Sequence, residues 1–108
     1  MSDEGMCSSG VRVVGTTVFI ECELDEASGP QVTEFIDGLD IDGLTVDLSG
    51  VDFIDSAGLR CLLLIKGAAD SRQRTLTFCN AHESVQHLLF LTGTARLLGL
   101  FPHAPDDN

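Results

Sequence analysis

Apolar residues along this chain come in short blocks, and the spacing inside a block alternates between two residues and three to four. Val11, Val13 and Val14 precede a Gly15-Thr16 turn, and Thr17-Val18-Phe19-Ile20-Glu21-Cys22 follows as a β-branched and aromatic run. This predicts two short strands joined as a hairpin. Pro30 suits the first position of a helix, and Val32, Phe35, Ile36 and Leu39 recur at helical spacing until Gly38 and Gly43 interrupt the pattern. Leu44-Thr45-Val46-Asp47-Leu48 reads as a strand and Ser49-Gly50 as part of the loop after it. A second helix is predicted from Ser56 to about Ala69, with Leu59, Leu62, Leu63 and Ile65 on its apolar side. Residues 75–79 form a further strand. From Ser84, the residues Val85, Leu88, Leu89 and Leu91 predict a third helix that stops near Gly93, and residues 97–101 remain an apolar segment of unassigned type.

The resulting order, β-β-α-β-α-β-α, is that of an α/β domain. Strands separated by helices become parallel neighbours joined by right-handed crossovers, and the opening hairpin adds an antiparallel edge. The expected architecture is a mixed sheet of four or five strands with helices packed on it, spanning residues 11–102 between polar tails at 1–10 and 103–108. The C-terminal ends of the parallel strands, near Cys22, Leu48 and Cys79, then share one edge with the start of the second helix, and sites in open α/β sheets favour that edge.

Composition supports one small folded domain. The chain has 108 residues, 44% of them hydrophobic, with no Trp or Tyr, enough to bury a core and too apolar for global disorder. Its apolar runs, of which residues 62–65 are typical, fall far short of the roughly 20 residues a membrane helix needs. The opening MSDEGMCSSG has neither the basic nor the apolar stretch of a secretory signal, so a cytoplasmic location with reduced thiols is expected. Seventeen acids against six bases give a net charge of −11, a poor footprint for a phosphate backbone, and this excludes nucleic acid as a direct ligand. The charge is lopsided: residues 1–55 hold thirteen acids and only Arg12, whereas residues 56–108 hold four acids and five bases. Such a half either solvates the domain or steers a basic protein toward it.

Enzyme motifs are missing. There is no Gly-rich phosphate loop, no G-x-S-x-G elbow, and no His-x-x-x-His or Cys-x-x-Cys metal spacing, so no cofactor or metal is expected. His82, His87 and His103 are scattered and receive no role. Cys7, Cys22, Cys61 and Cys79 share no spacing and read mainly as small hydrophobes; Cys61 and Cys79 fall near the sheet edge and are candidate redox-sensitive thiols. The informative stretch is Val51-Asp52-Phe53-Ile54-Asp55-Ser56-Ala57-Gly58-Leu59, which leads from a strand into a helix through a loop ending in Asp-Ser. Ser56 reads either as an N-cap or as an exposed hydroxyl beside a small Ala57-Gly58 pair that another protein can approach closely. Asp55 suits the positive end of the helix dipole.

The stretch from Leu44 to Leu59 resembles the signature of STAS domains, specifically the bacterial anti-sigma factor antagonists. The likeness continues through Leu76-Thr77-Phe78-Cys79-Asn80, then Val85, Leu88 and Leu91-Thr92-Gly93, to Leu100-Phe101. Glu23-Leu24-Asp25 is similar to the family's Gly-Glu-Leu-Asp turn, with Cys22 where the family usually has Gly. The resemblance implies a non-enzymatic regulator that binds an anti-sigma factor with a GHKL-type serine kinase fold, releases a sigma factor, and is switched off by phosphorylation of Ser56. A serine phosphatase would reverse the modification. Ala57 replaces a second hydroxyl that many members carry. Asp25, Asp52, Asp55, Ser56, Ala57, Gly58 and Arg60 form the expected partner-binding surface, with Arg60 one helical turn from Ser56. The alternative within the resemblance is an accessory subunit of a lipid-trafficking ABC transporter, or another protein-binding STAS module, that binds its partner without phosphorylation. A thiol oxidoreductase lacks both a Cys-x-x-Cys pair and a placed His base.

Overall fold

The computed structural model describes residues 10–100. Its sheet opens with β1 (Val11–Val14) and β2 (Thr17–Ile20), an antiparallel pair in which Val11 faces Ile20 and Val14 faces Thr17. The connecting turn places Gly15 at φ +62°, a conformation glycine adopts without penalty. β3 (Leu44–Asp47) lies parallel to β2, and β4 (Leu76–Cys79) parallel to β3, giving the spatial order β1-β2-β3-β4. The helices are α1 (Gly29–Asp37), α2 (Ser56–Ser71), α3 (Glu83–Leu91) and a single turn, α4 (Ala95–Leu98). The expected order is therefore observed as an α/β mixed sheet with one antiparallel edge.

Several boundaries differ from the periodicity reading, among them the start of β4 at Leu76 rather than residue 75 and of α3 at Glu83 rather than Ser84. β2 stops at Ile20 instead of Cys22, and β3 at Asp47 instead of Leu48, because both chains leave the sheet for loops that bind one another. The unassigned apolar tail begins as α4, which Gly99 terminates in the left-handed region at φ +76°. Phe101 and both polar tails lie outside the described residues, apart from Gly10.

Burial follows the strand alternation. Val18 and Ile20, Leu44 and Val46, and Leu76 and Phe78 are buried, while Thr17, Phe19, Thr45 and Thr77 are less so. With Val32, Ile36, Leu62, Ile65, Val85 and Leu89 from the helices they make one core. α1 touches α2 where Gly29 lies so near Cys61 that a Cβ on the glycine would stand 2.5 Å from the thiol sulfur. The far end of the connection is pinned by ion pairs from Arg72 to Asp37 and from Arg74 to Asp40, both 2.6 Å. On the other sheet face the register lines up Arg12, Phe19, Asp47 and Cys79 in one row. Arg12 lies 4.5 Å above the Phe19 ring and pairs with Glu21 at 2.9 Å.

Candidate functional site

Beyond the strand ends, two turns lock together. Leu24 and Ile54 form a parallel bridge, in which the Leu24 N–H donates to the Phe53 carbonyl at 3.0 Å and the Asp55 N–H donates to the Leu24 carbonyl at 3.2 Å. Side chains stabilise the first turn. The Asp25 carboxylate accepts from the N–H groups of Ala27 (3.0 Å) and Ser28 (2.9 Å), and the Ser28 hydroxyl donates to the Glu23 carbonyl. The Ser28 backbone N–H, with further help from Ala27, holds the Asp25 carboxyl below the usual range. The second turn enters α2 with Asp55 in extended geometry, its carboxylate accepting from the Gly58 N–H at 2.9 Å. Asp55 is thus the N-cap and Ser56 the first helical residue. The cap reading of Ser56 is corrected here: the longer carboxylate one residue upstream satisfies the helix donor and leaves the serine hydroxyl exposed.

Gly58 explains why the turns fit. A Cβ there would fall 2.2 Å from the Leu24 carbonyl oxygen and 2.7 Å from its carbon, so only glycine lets the first turn of α2 settle against the backbone of residue 24. Gly50 does the same in the preceding loop, where a Cβ would meet the Glu21 Cα at 2.7 Å.

The structure gathers Asp25, Asp52, Asp55, Ser56, Ala57, Gly58 and Arg60 on the two interlocked turns and the start of α2. Asp52, Ser56 and Arg60 are exposed, Asp25, Asp55 and Ala57 are half-buried, and Gly58 is buried. Asp25 and Asp55 spend carboxylate oxygens on backbone donors, so their first task is to shape the surface. Among the described residues Arg60 makes no ion pair, whereas Arg12, Lys66, Arg72 and Arg74 all do. Cys61 and Cys79 are free thiols and do not meet: Cys61 is buried against Gly29, and Cys79 ends β4 opposite Asp47. Burial, reinforced by the Asp47 charge, raises the Cys79 thiol pKa, and burial raises that of Cys22 against a hydrogen bond from Ser28. Raised values disfavour the reactive thiolate at these two positions.

Three residues of the edge escaped the sequence reading. Phe53, 48% exposed, presents an aromatic ring on the turn before Ser56; the available signal was its place directly beside Ile54, since neighbours on an extended chain face opposite sides. Asp47, only 8% exposed, accepts from the Ser49 N–H and the Asn80 side-chain amide, both 2.8 Å. Burial pushes its carboxyl up, but the hydrogen bonds from Ser49 and Asn80, with the Arg12 charge, more than offset this and hold it below the usual range. His82 sets its Nε2 2.6 Å from the Ser49 carbonyl, tying the start of α3 to the turn after β3. Nothing in a local pattern announces the last two, because Asn80 and Ser49 lie 33 residues from the groups they meet.

Comparison with known proteins follows the same geometry. The family profile of the STAS domain matches residues 8–106. None of the curated proteins matches the chain in sequence. A Thermotoga maritima protein assigned as an anti-sigma factor antagonist superposes with a TM-score of 0.68 at 20% identity, covering 82% of this chain and 80% of that one. The anti-sigma factor antagonist SpoIIAA in its unphosphorylated form gives a TM-score of 0.65 at 15% identity, covering 80% and 81%. The STAS domain of a SulP transporter from Vibrio cholerae gives 0.56 at 16% identity, covering 89% and 82%.

Proposed function

The chain belongs to the STAS domain family, and from that premise we propose that it is an anti-sigma factor antagonist: a binding module, not an enzyme, that captures a GHKL-type anti-sigma kinase and is released when Ser56 is phosphorylated. One observation carries the reading. Ser56 stands exposed at the first position of α2, relieved of capping by Asp55, with exposed Phe53 three residues before it and exposed Arg60 four residues after. One compared structure is an anti-sigma factor antagonist and another is assigned as one, and both superpose more closely than the SulP transporter domain, which supports this reading.

The switch follows from charge. A kinase transfers the γ-phosphoryl group of ATP to the Ser56 hydroxyl oxygen, forming the O–P bond and breaking the one to the ADP oxygen, while the hydroxyl proton passes to a base on the kinase. The helix N-terminus tolerates the new anion, of charge about −1.5 to −2, so the isolated fold barely responds. The complex does respond, because an interface closed over a small hydroxyl must now bury a bulky dianion beside Asp52 and Asp55. Each 1.4 kcal/mol lost weakens binding about tenfold.

Intact-mass measurement after incubation with candidate kinases and ATP tests the reading. Addition of one phosphate to the wild type and none to Ser56→Ala, together with tight binding by Ser56→Ala and weak binding by Ser56→Glu, supports it. If the wild type takes no phosphate, Ser56→Glu binds as tightly as the wild type, and pull-downs recover a membrane ATPase, the protein is the accessory subunit instead.

A further inference from the structure

We propose that the groove between α1 and α2 is a docking surface for a basic, amphipathic segment of a partner protein, lying beside Ser56 and extending the site described above. The inference rests on the reading that this edge binds a protein and names the chemistry of what it binds. The groove is lined from the α1 side by Glu26, Pro30 and Glu34 and from the α2 side by Ala57, Arg60 and Leu64, with the buried Cys61 at its floor. Its apolar lining includes Leu64, which is 55% exposed though it sits mid-helix in α2, one turn beyond Arg60, together with Ala57 and Pro30. Together these three residues give the groove an apolar side on which a hydrophobic side chain can seat.

The rim supplies the sign of the partner. Glu26 and Glu34 make no ion pair among the described residues, in contrast to Asp37 at the groove's far end, which is taken by Arg72. Arg60, also without an ion pair among the described residues, is a cation of the same lining, but the two carboxylates outnumber it and stand on the α1 side, where they suit Lys or Arg flanking a hydrophobic side chain. The nine residues of α1 offer a rail of about 13 Å, the length of two to three helical turns. A second copy of this chain is the wrong occupant, because each copy carries a net charge of −11. Ala57 and Arg60 line the groove and lie within four residues of Ser56 on α2, so the two sites adjoin.

The test uses the full chain, isotope-labelled, and a synthetic amphipathic peptide of about four turns in which leucines form one face and lysines the other. Backbone amide shifts are followed by NMR during titration. The expected result is a saturable change confined to residues 26–37 and 57–64. Binding should be about tenfold weaker in Glu26→Gln/Glu34→Gln and unchanged in Glu83→Gln/Asp70→Asn, which removes the same charge from outside the groove. A peptide with serine in place of leucine should bind at least about tenfold more weakly. Thermal melts confirm that both double variants are folded. Shift changes spread over the whole acidic surface, equal weakening in the two double variants, equal affinity for the serine peptide, or no saturable change would each overturn the proposal. Neither kinase nor phosphate takes part, so failure here leaves the Ser56 switch standing, and failure of Ser56 to accept phosphate leaves the groove result standing.

Discussion

Replacing Gly58 by alanine adds one methyl group where the structure has no room for it. The new carbon would stand 2.2 Å from the Leu24 carbonyl oxygen, 2.7 Å from the carbonyl carbon and 2.8 Å from the Leu24 Cβ. The first two are backbone atoms, and that backbone is held on both sides by the hydrogen bonds between Leu24, Phe53 and Asp55, so no side-chain rotation relieves the overlap. If the turn yields, two backbone hydrogen bonds weaken at about 1 kcal/mol each and fully buried Leu24 loosens. If it holds, overpacking costs about 1–3 kcal/mol. Alanine's better helix propensity returns at most about 1 kcal/mol, leaving a net loss of about 1–2 kcal/mol and a fall in Tm of about 5–10 °C. Gly67, in the middle of the same helix, meets nothing within 4 Å of its added Cβ, so Gly67→Ala should gain about 0.5–1 kcal/mol. Urea unfolding followed by far-ultraviolet circular dichroism suits a chain without Trp, and the m-value should stay constant between variants. Equal stability for wild type and Gly58→Ala, or shifts of the same sign in the two variants, would refute the close approach of the turns.

Three further outcomes follow. Asp55→Ala should lose about 1 kcal/mol, the usual cost of a missing N-cap, while Ser56→Ala stays within about 0.5 kcal/mol of wild type; chemical denaturation giving the reverse order would make Ser56 the cap. With phosphoserine installed at position 56, phosphorus NMR should show the second phosphate ionisation, ordinarily near about 6, held lower by Arg60 and rising by about half a unit in Arg60→Gln; superimposable titrations would show that Arg60 does not reach the phosphate. The folded-state carboxyl of Asp47 lies below its ordinary value, so its stabilising effect is present above about pH 4 and is lost as the pH falls through the folded-state value. Asp47→Asn should therefore be less stable than wild type at pH 7 and show a shallower loss toward acid, and parallel acid limbs for the two proteins would contradict that assignment.

Much of this molecule was legible from one dimension. The hairpin, the alternation of strands and helices, and the start of α2 at Ser56 are written in periodicity and punctuation, since local spacing decides which face of an element is apolar and a proline or glycine decides where it begins or ends. The Asp-Ser-Ala-Gly-Leu element marked the site because its small residues open an apolar helix. Its internal division of labour was not legible: either Asp55 or Ser56 can cap α2, and the choice was made only when Leu24 came from far upstream to bind Asp55 and abut Gly58. Asp47, His82 and the α1–α2 groove belong to the same class. Each depends on elements that parallel crossovers bring together from distant regions of the chain, and a side chain's exposure, partners and proton affinity are set by those neighbours rather than by the residues beside it in sequence.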